Sequence, residues 1–130
     1  MAKKVFIAAT MQNDGKTTVS LGLIFNFKER FKNIGFIKPI GQRYLEEDGL
    51  KVDEDSVLIE DVCGIKCGIK DMSPIAVEKG FTEKYIARPD KENIGRQIMD
   101  SFKRVSKDKD LVVIEGTGHA GVGSVFDHSN

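Results

Sequence analysis

The stretch that decides the fold is Ala8–Ile24, AATMQNDGKTTVSLGLI. Its centre, Gly15-Lys16-Thr17-Thr18, has the form of the end of a phosphate-binding loop. The common spacing G-x-x-x-x-G-K-[ST] would put a glycine at position 10, which holds Thr10. Two readings compete: a nucleotide site with an unusual entrance, or a GKT that opens a helix with an ordinary Thr cap and a solvated lysine. Context favours the first. Lys4–Thr10, KVFIAAT, is a short apolar run that suits a strand buried on both faces of a parallel sheet. From Lys16, KTTVSLGLIFNFKERF predicts a helix with Val19, Leu21, Leu23, Ile24, Phe27 and Phe31 on a broad inward face. Strand, loop and helix in that order aim the unpaired N–H groups of the helix start at an anion. Gly15 then lets the backbone come close, Lys16 brings a charge to the terminal phosphates, and Thr17 offers a hydroxyl to Mg2+. The expected cradle runs through Gln12, Asn13, Asp14, Gly15, Lys16, Thr17 and Thr18.

Outward from this loop, IGFIKPI reads as a second strand broken by Pro39. DEDSVLIEDVCG predicts a short helix: Asp53 or Asp55 starts it, Val57, Leu58 and Val62 face inward, and Gly64 ends it. DMSPIAVEKGFTEKYIARPD has no sustained period and is expected to be mostly irregular with a possible short strand. DKENIGRQIMDSFKRVSKDKD is an amphipathic helix, its Ile94, Ile98, Phe102 and Val105 spaced by four, four and three residues. LVVIEG is a further buried strand, followed by the glycine-rich GTGHAGVGS. This order predicts an α/β fold, a mainly parallel sheet with flanking helices joined by right-handed crossovers. The helix-start residues Asp127, Ser129 and Asn130 close the sequence with no helix after them, so one incomplete domain, an amino-terminal portion, is expected over residues 1–130.

Three charged residues join the loop as candidates. Glu115 ends an apolar strand, and in a parallel sheet that is the edge where open α/β folds bind ligands. It can hold a metal directly or through water, or be satisfied by neighbouring backbone. Asp55, with Asp53 beside it, is a second candidate carboxylate, although Asp53 also suits a helix cap. Lys38, at the end of the second strand, can neutralise a transferring phosphoryl group or hold a carboxylate, or be a surface residue. His119 and His128 read as loop residues.

Composition narrows the partners. Twenty basic residues balance twenty acidic ones, so no global field favours nucleic acid or an anionic membrane. The apolar runs fall short of the ~20 residues a membrane helix needs. No signal-peptide core follows MAKK, so a cytoplasmic protein is expected. Cys63 and Cys67 have three residues between them in CGIKC, unlike a C-x-x-C motif, and read as two reduced thiols near a helix end.

The segments FIAATMQNDGKTTVSLGL, GFIKPIGQ, DEDSVLI and VVIEGTGHAGVGSVFD occur in the order seen in dethiobiotin synthetase-like P-loop ATPases, which the chain resembles. That group includes dethiobiotin synthetase, the cobyrinic acid diamide synthases and the amino-terminal domain of some long phosphate acetyltransferases. Its phosphate loop carries one more residue, G-x-x-x-x-x-G-K-T, and on that pattern Ala9 stands where the first glycine would be. The resemblance implies ATP and Mg2+ as cofactors. It implies that Lys16 and Thr17 hold phosphates and metal, that Asp55 and Glu115 complete the metal site, and that Lys38 contacts substrate or γ-phosphate. Gly116, Thr117 and Gly118 would line the substrate side. It further implies an ATP-dependent ligase that activates a small carboxylate or carbamate, and a homodimer. The alternative is a nucleotide-sensing module appended to another enzyme. EGTGHAGVGSVFD is closer to the acetyltransferase-linked branch than to dethiobiotin synthetase itself.

Overall fold

The computed structural model describes residues 3–7, 16–41, 44–47, 49–65, 67–76 and 91–116. Strand β1 (Lys3–Ile7) is followed by helix α1 (Lys16–Phe27), strands β2 (Ile34–Ile37), β3 (Ile40–Gly41), β4 (Tyr44–Glu47) and β5 (Leu50–Asp53). Helices α2 (Glu54–Cys63) and α3 (Ile69–Met72), strand β6 (Ile75–Ala76), helix α4 (Lys91–Ser106) and strand β7 (Leu111–Glu115) complete the described chain. The main sheet is parallel throughout, and its order is β1-β7-β2. The latest of the described strands thus lies between the two earliest. Register pairs Ile7 with Glu115 and Ile37 with Ile114, so all three strands finish at one edge.

Alternation along β2 and β7 sends side chains to both faces. Ile34, Phe36, Leu111 and Val113 join Ile24 of α1 and Ile59 and Cys63 of α2 in one core. Ile37 and Val112 meet Val105 of α4 on the opposite face. Each fully buried side chain such as Phe36 contributes roughly 1.5–3 kcal/mol. Gly35 of β2 allows the close approach of α4, since a Cβ there would lie 2.9 Å from the Val105 carbonyl oxygen. The layered α/β arrangement and the strand reading of LVVIE hold, and α4 covers the heart of the amphipathic stretch seen in the sequence.

Several local expectations are corrected. β1 is not buried on both faces: Ile7 is buried, but Phe6 is half exposed, because among the described strands only β7 pairs with it. On α1, Val19 is exposed rather than inward. On α2 the inward residues are Ser56, Ile59 and Cys63, while Leu58 and Val62 are exposed. The helix is held in that rotation by the Ser56 hydroxyl, which donates to the Met72 carbonyl (3.3 Å), and by Asp55, which turns toward Lys38. The caps of α2 behave as read: the Asp53 carboxylate accepts from the Asp55 N–H, and Gly64 takes φ 65° at the C-cap.

An antiparallel β4–β5 hairpin, turning at Gly49 with φ 77°, was not anticipated from the sequence. It delivers Asp53 directly to the start of α2. The second strand breaks at Lys38-Pro39 as expected, and the chain resumes as β3, which pairs in parallel with β6. β6 is the possible short strand of the irregular stretch, and α3 is an added single turn. Cys63 and Cys67 are free thiols, and burial pushes both above the usual thiol range.

Candidate functional site

The strand order brings distant residues together. β7 ends in Glu115, and Lys38 follows the last residue of the neighbouring β2. The Lys38 backbone N–H donates to the Met72 carbonyl at 2.8 Å, which ties the end of β2 to α3. Its ammonium reaches Asp55 Oδ2 at 2.6 Å, Asp53 Oδ2 at 3.3 Å and Glu115 Oε1 at 3.9 Å. Lys38, Asp53 and Glu115 are all buried, whereas the Asp55 side chain keeps 26% of its surface in solvent.

Each carboxylate is held by its own element. Ser20, in the second turn of α1, donates its hydroxyl to Glu115 Oε2 at 3.2 Å, a buried contact across 95 residues of sequence. Because α1 begins at Lys16, one turn before Ser20, the expected phosphate helix opens at the edge where Glu115 lies. Asp53 is fixed by three groups: its N–H donates to Ser73 Oγ at 2.7 Å, its Oδ2 accepts the Asp55 N–H at 2.9 Å, and the same oxygen faces Lys38. Its other oxygen, Oδ1, is buried with no hydrogen-bond partner. That oxygen faces Gly41, where an added Cβ would lie only 2.3 Å away.

Three carboxylates surround one ammonium, and both members of the central pair respond. Burial alone would pull Lys38 down, but Asp53, Asp55 and Glu115 outweigh it and hold the ammonium above its ordinary pKa. Burial pushes Asp53 up as well, helped by the charge of Asp55, and Lys38 only partly offsets it.

Of the residues expected from sequence, Lys38, Asp55 and Glu115 converge. Asp53 is both the helix cap and a member of the cluster. Lys16 and Thr17 open α1, their side chains lying outside the described residues, and Thr18 is exposed. Gly116 donates its N–H to the Ile7 carbonyl at 2.8 Å and so joins the ends of β7 and β1. Gln12, Asn13, Asp14, Gly15, Thr117 and Gly118 lie outside the described residues, as do Ala9, His119 and His128. Sequence reading missed Ser20 and Ser73, whose single hydroxyls show no pattern until their partners are known.

Among the described residues, no group of three or more His, Cys, Asp or Glu side chains is arranged as a metal cage. A hard divalent ion such as Mg2+ does not need one, since it takes one or two carboxylates and fills its shell with waters and phosphate oxygens. Asp55 and Glu115 offer that donor chemistry, and the Lys38 ammonium already sits against both as a stand-in cation. A separate cleft of about 320 Å3, lined by Lys28, Lys32 and Lys109, lies at the opposite sheet edge beside Ile34 and Gly64. There Lys28 donates to the Cys63 carbonyl at the C-terminus of α2, a capping role. No helix among the described residues is long and apolar enough to cross a membrane.

An ATP-dependent dethiobiotin synthetase of Caldicellulosiruptor saccharolyticus is 29% identical over 117 residues, 89% of this chain and 48% of that protein. The corresponding protein of Clostridium kluyveri is 28% identical over 119 residues, 91% of this chain and 49% of its own length. A phosphate acetyltransferase of Haemophilus influenzae is 24% identical over 116 residues, 89% of this chain but 15% of that protein. The chain therefore spans about half the length of the dethiobiotin synthetases it matches. A family profile described as an AAA domain, AAA_26, matches residues 3–130, and the chain belongs to that family.

Proposed function

We propose that this chain is the Mg-ATP-binding part of an ATP-dependent ligase of the dethiobiotin synthetase kind, acting on a small carboxylate or carbamate. The observation that carries the reading is the meeting of Lys38, Asp55 and Glu115 at the strand edge where α1 begins. In the reaction an acceptor carboxylate oxygen bonds to the γ-phosphorus as the bond to the β-phosphate oxygen breaks and ADP leaves. A nitrogen nucleophile then attacks the acyl carbon and expels phosphate. Positioning and charge stabilisation supply most of the catalysis in such transfers. Bound Mg2+, held by Thr17, Asp55 and Glu115, would neutralise charge on the phosphate oxygens. Lys16 binds the phosphates, and Lys38 holds the acceptor or the transferring group.

Calorimetry of Mg-ATP with the full-length protein tests the reading. Saturable binding is expected, weakened at least about tenfold in Lys16→Ala. Identical isotherms for the two proteins would refute it. The acetyltransferase match, together with Ala9 in place of the loop's first glycine, favours a second reading: a nucleotide-sensing module appended to another enzyme. ATP turnover that rises with added dicarboxylates supports the ligase, and binding without turnover supports the module. A cytoplasmic homodimer is part of the ligase reading.

A further inference from the structure

We propose that Lys38 and the divalent cation exchange places on Asp55 and Glu115, while Asp53 stays with the lysine throughout as its own counter-ion. This rests on the metal role of Asp55 and Glu115 in the proposed function. Asp53 then acts as a positioning residue, holding the ammonium beside the reacting groups after its other two partners have turned to the metal.

The geometry makes double occupancy unfavourable. The ammonium lies 2.6 Å from Asp55 Oδ2, a carboxylate oxygen that the metal would also use. Two cations that share one carboxylate oxygen repel each other, which favours withdrawal of the lysine as the metal enters. The three carboxylates are not equivalent in their freedom. Asp55 is partly exposed and can turn toward solvent and phosphate. Asp53 is fully buried and pinned by the Asp55 N–H, with its own N–H on Ser73, so it cannot follow. It also keeps an acceptor in reserve: Oδ1 is buried and without a hydrogen bond. A lysine that gives up Asp55 and Glu115 can thus remain paired and buried. Without Asp53, displacement would leave an uncompensated charge in the interior, which is strongly unfavourable.

Mn2+ binding followed by electron paramagnetic resonance, in the full-length protein without nucleotide, tests the exchange directly. The decisive variant is K38M/D53N. It removes one positive and one negative charge together, so the net charge of the site is unchanged and only the competing cation is lost. Asparagine keeps the cap and the size of Asp53. The double variant should bind Mn2+ at least about tenfold more tightly than wild type. Lys38→Arg, which retains a competing cation, should bind no more tightly than wild type. A double variant with unchanged or weaker affinity overturns the exchange, as does tightening in Lys38→Arg. Should the double variant fail to fold, wild-type protein labelled with 15N-lysine gives a second readout. One protected ammonium resonance should move with the Mg2+ binding curve, and a resonance that stays fixed as metal binds refutes the proposal. Saturable Mg-ATP binding by wild type is measured separately, so loss of the exchange and loss of the proposed function are distinguishable.

Discussion

Gly41→Ala probes the tightest contact in the candidate site. A Cβ at position 41 would stand 2.3 Å from Asp53 Oδ1, 2.6 Å from its Cβ and 2.7 Å from its Cγ, against an ordinary contact of at least 3.4 Å. Gly41 has no positive φ, so the cost arises from collision and not from backbone strain. Asp53 is fully buried and cannot swing away without loosening its bonds to Asp55 and Ser73. Overpacking costs about 1–3 kcal/mol, and loss of one of those hydrogen bonds about 1 more, so a destabilisation of about 2–4 kcal/mol is expected. The shift in urea midpoint at constant m-value measures it. Asp53→Gly opens the space and retains an acceptable cap residue, so in that background Gly41→Ala should cost less than about 0.5 kcal/mol. A Gly41→Ala protein within about 0.5 kcal/mol of wild type, or an equal cost in both backgrounds, would refute the packing argument.

Two further outcomes are expected. Lys38→Met leaves Asp53 buried without its counter-ion and should lose about 3–5 kcal/mol at neutral pH. The folded pKa of Lys38 lies above 10.5, so its stabilisation is complete below that pH and is lost only as pH climbs through the folded value. The folded pKa of Asp53 lies above 3.8, so its protonated form favours folding, and that contribution fades as pH rises through the raised value. The Lys38→Met deficit should therefore shrink on acidification from neutral pH, and a pH-independent deficit in urea midpoints would contradict this. The rotation of α2 is tested by a pair of truncations: Ile59→Ala should cost about 2–5 kcal/mol and Leu58→Ala less than about 1, measured by thermal or urea unfolding.

What could be read in the sequence was whatever depends on neighbours along the chain. The apolar run LVVIE marked β7, the spacing Ile94–Ile98–Phe102–Val105 marked α4, and Asp53 and Gly64 marked the ends of α2. What depends on partners far away was hidden. The position of β7 between β1 and β2 has no local signature, yet it alone puts Glu115 beside Lys38. The face of α2 was misread because its inward residues include a serine and a cysteine, while two larger apolar side chains point outward. The β4–β5 hairpin escaped notice because Leu45 and Leu50 are exposed and give no clean alternation. Ser20 and Ser73 matter only through partners 95 and 20 residues away.

The position of β7 also bears on how the protein is made. As the ribosome extends the chain, β1 and β2 emerge early but are not neighbours, so neither can complete its ladder with the other. Their shared partner begins at Leu111, and contacts of such long sequence separation form slowly. A nascent chain that stalls before that residue has β1, β2 and Lys38, but lacks the strand that lies between the two and carries Glu115.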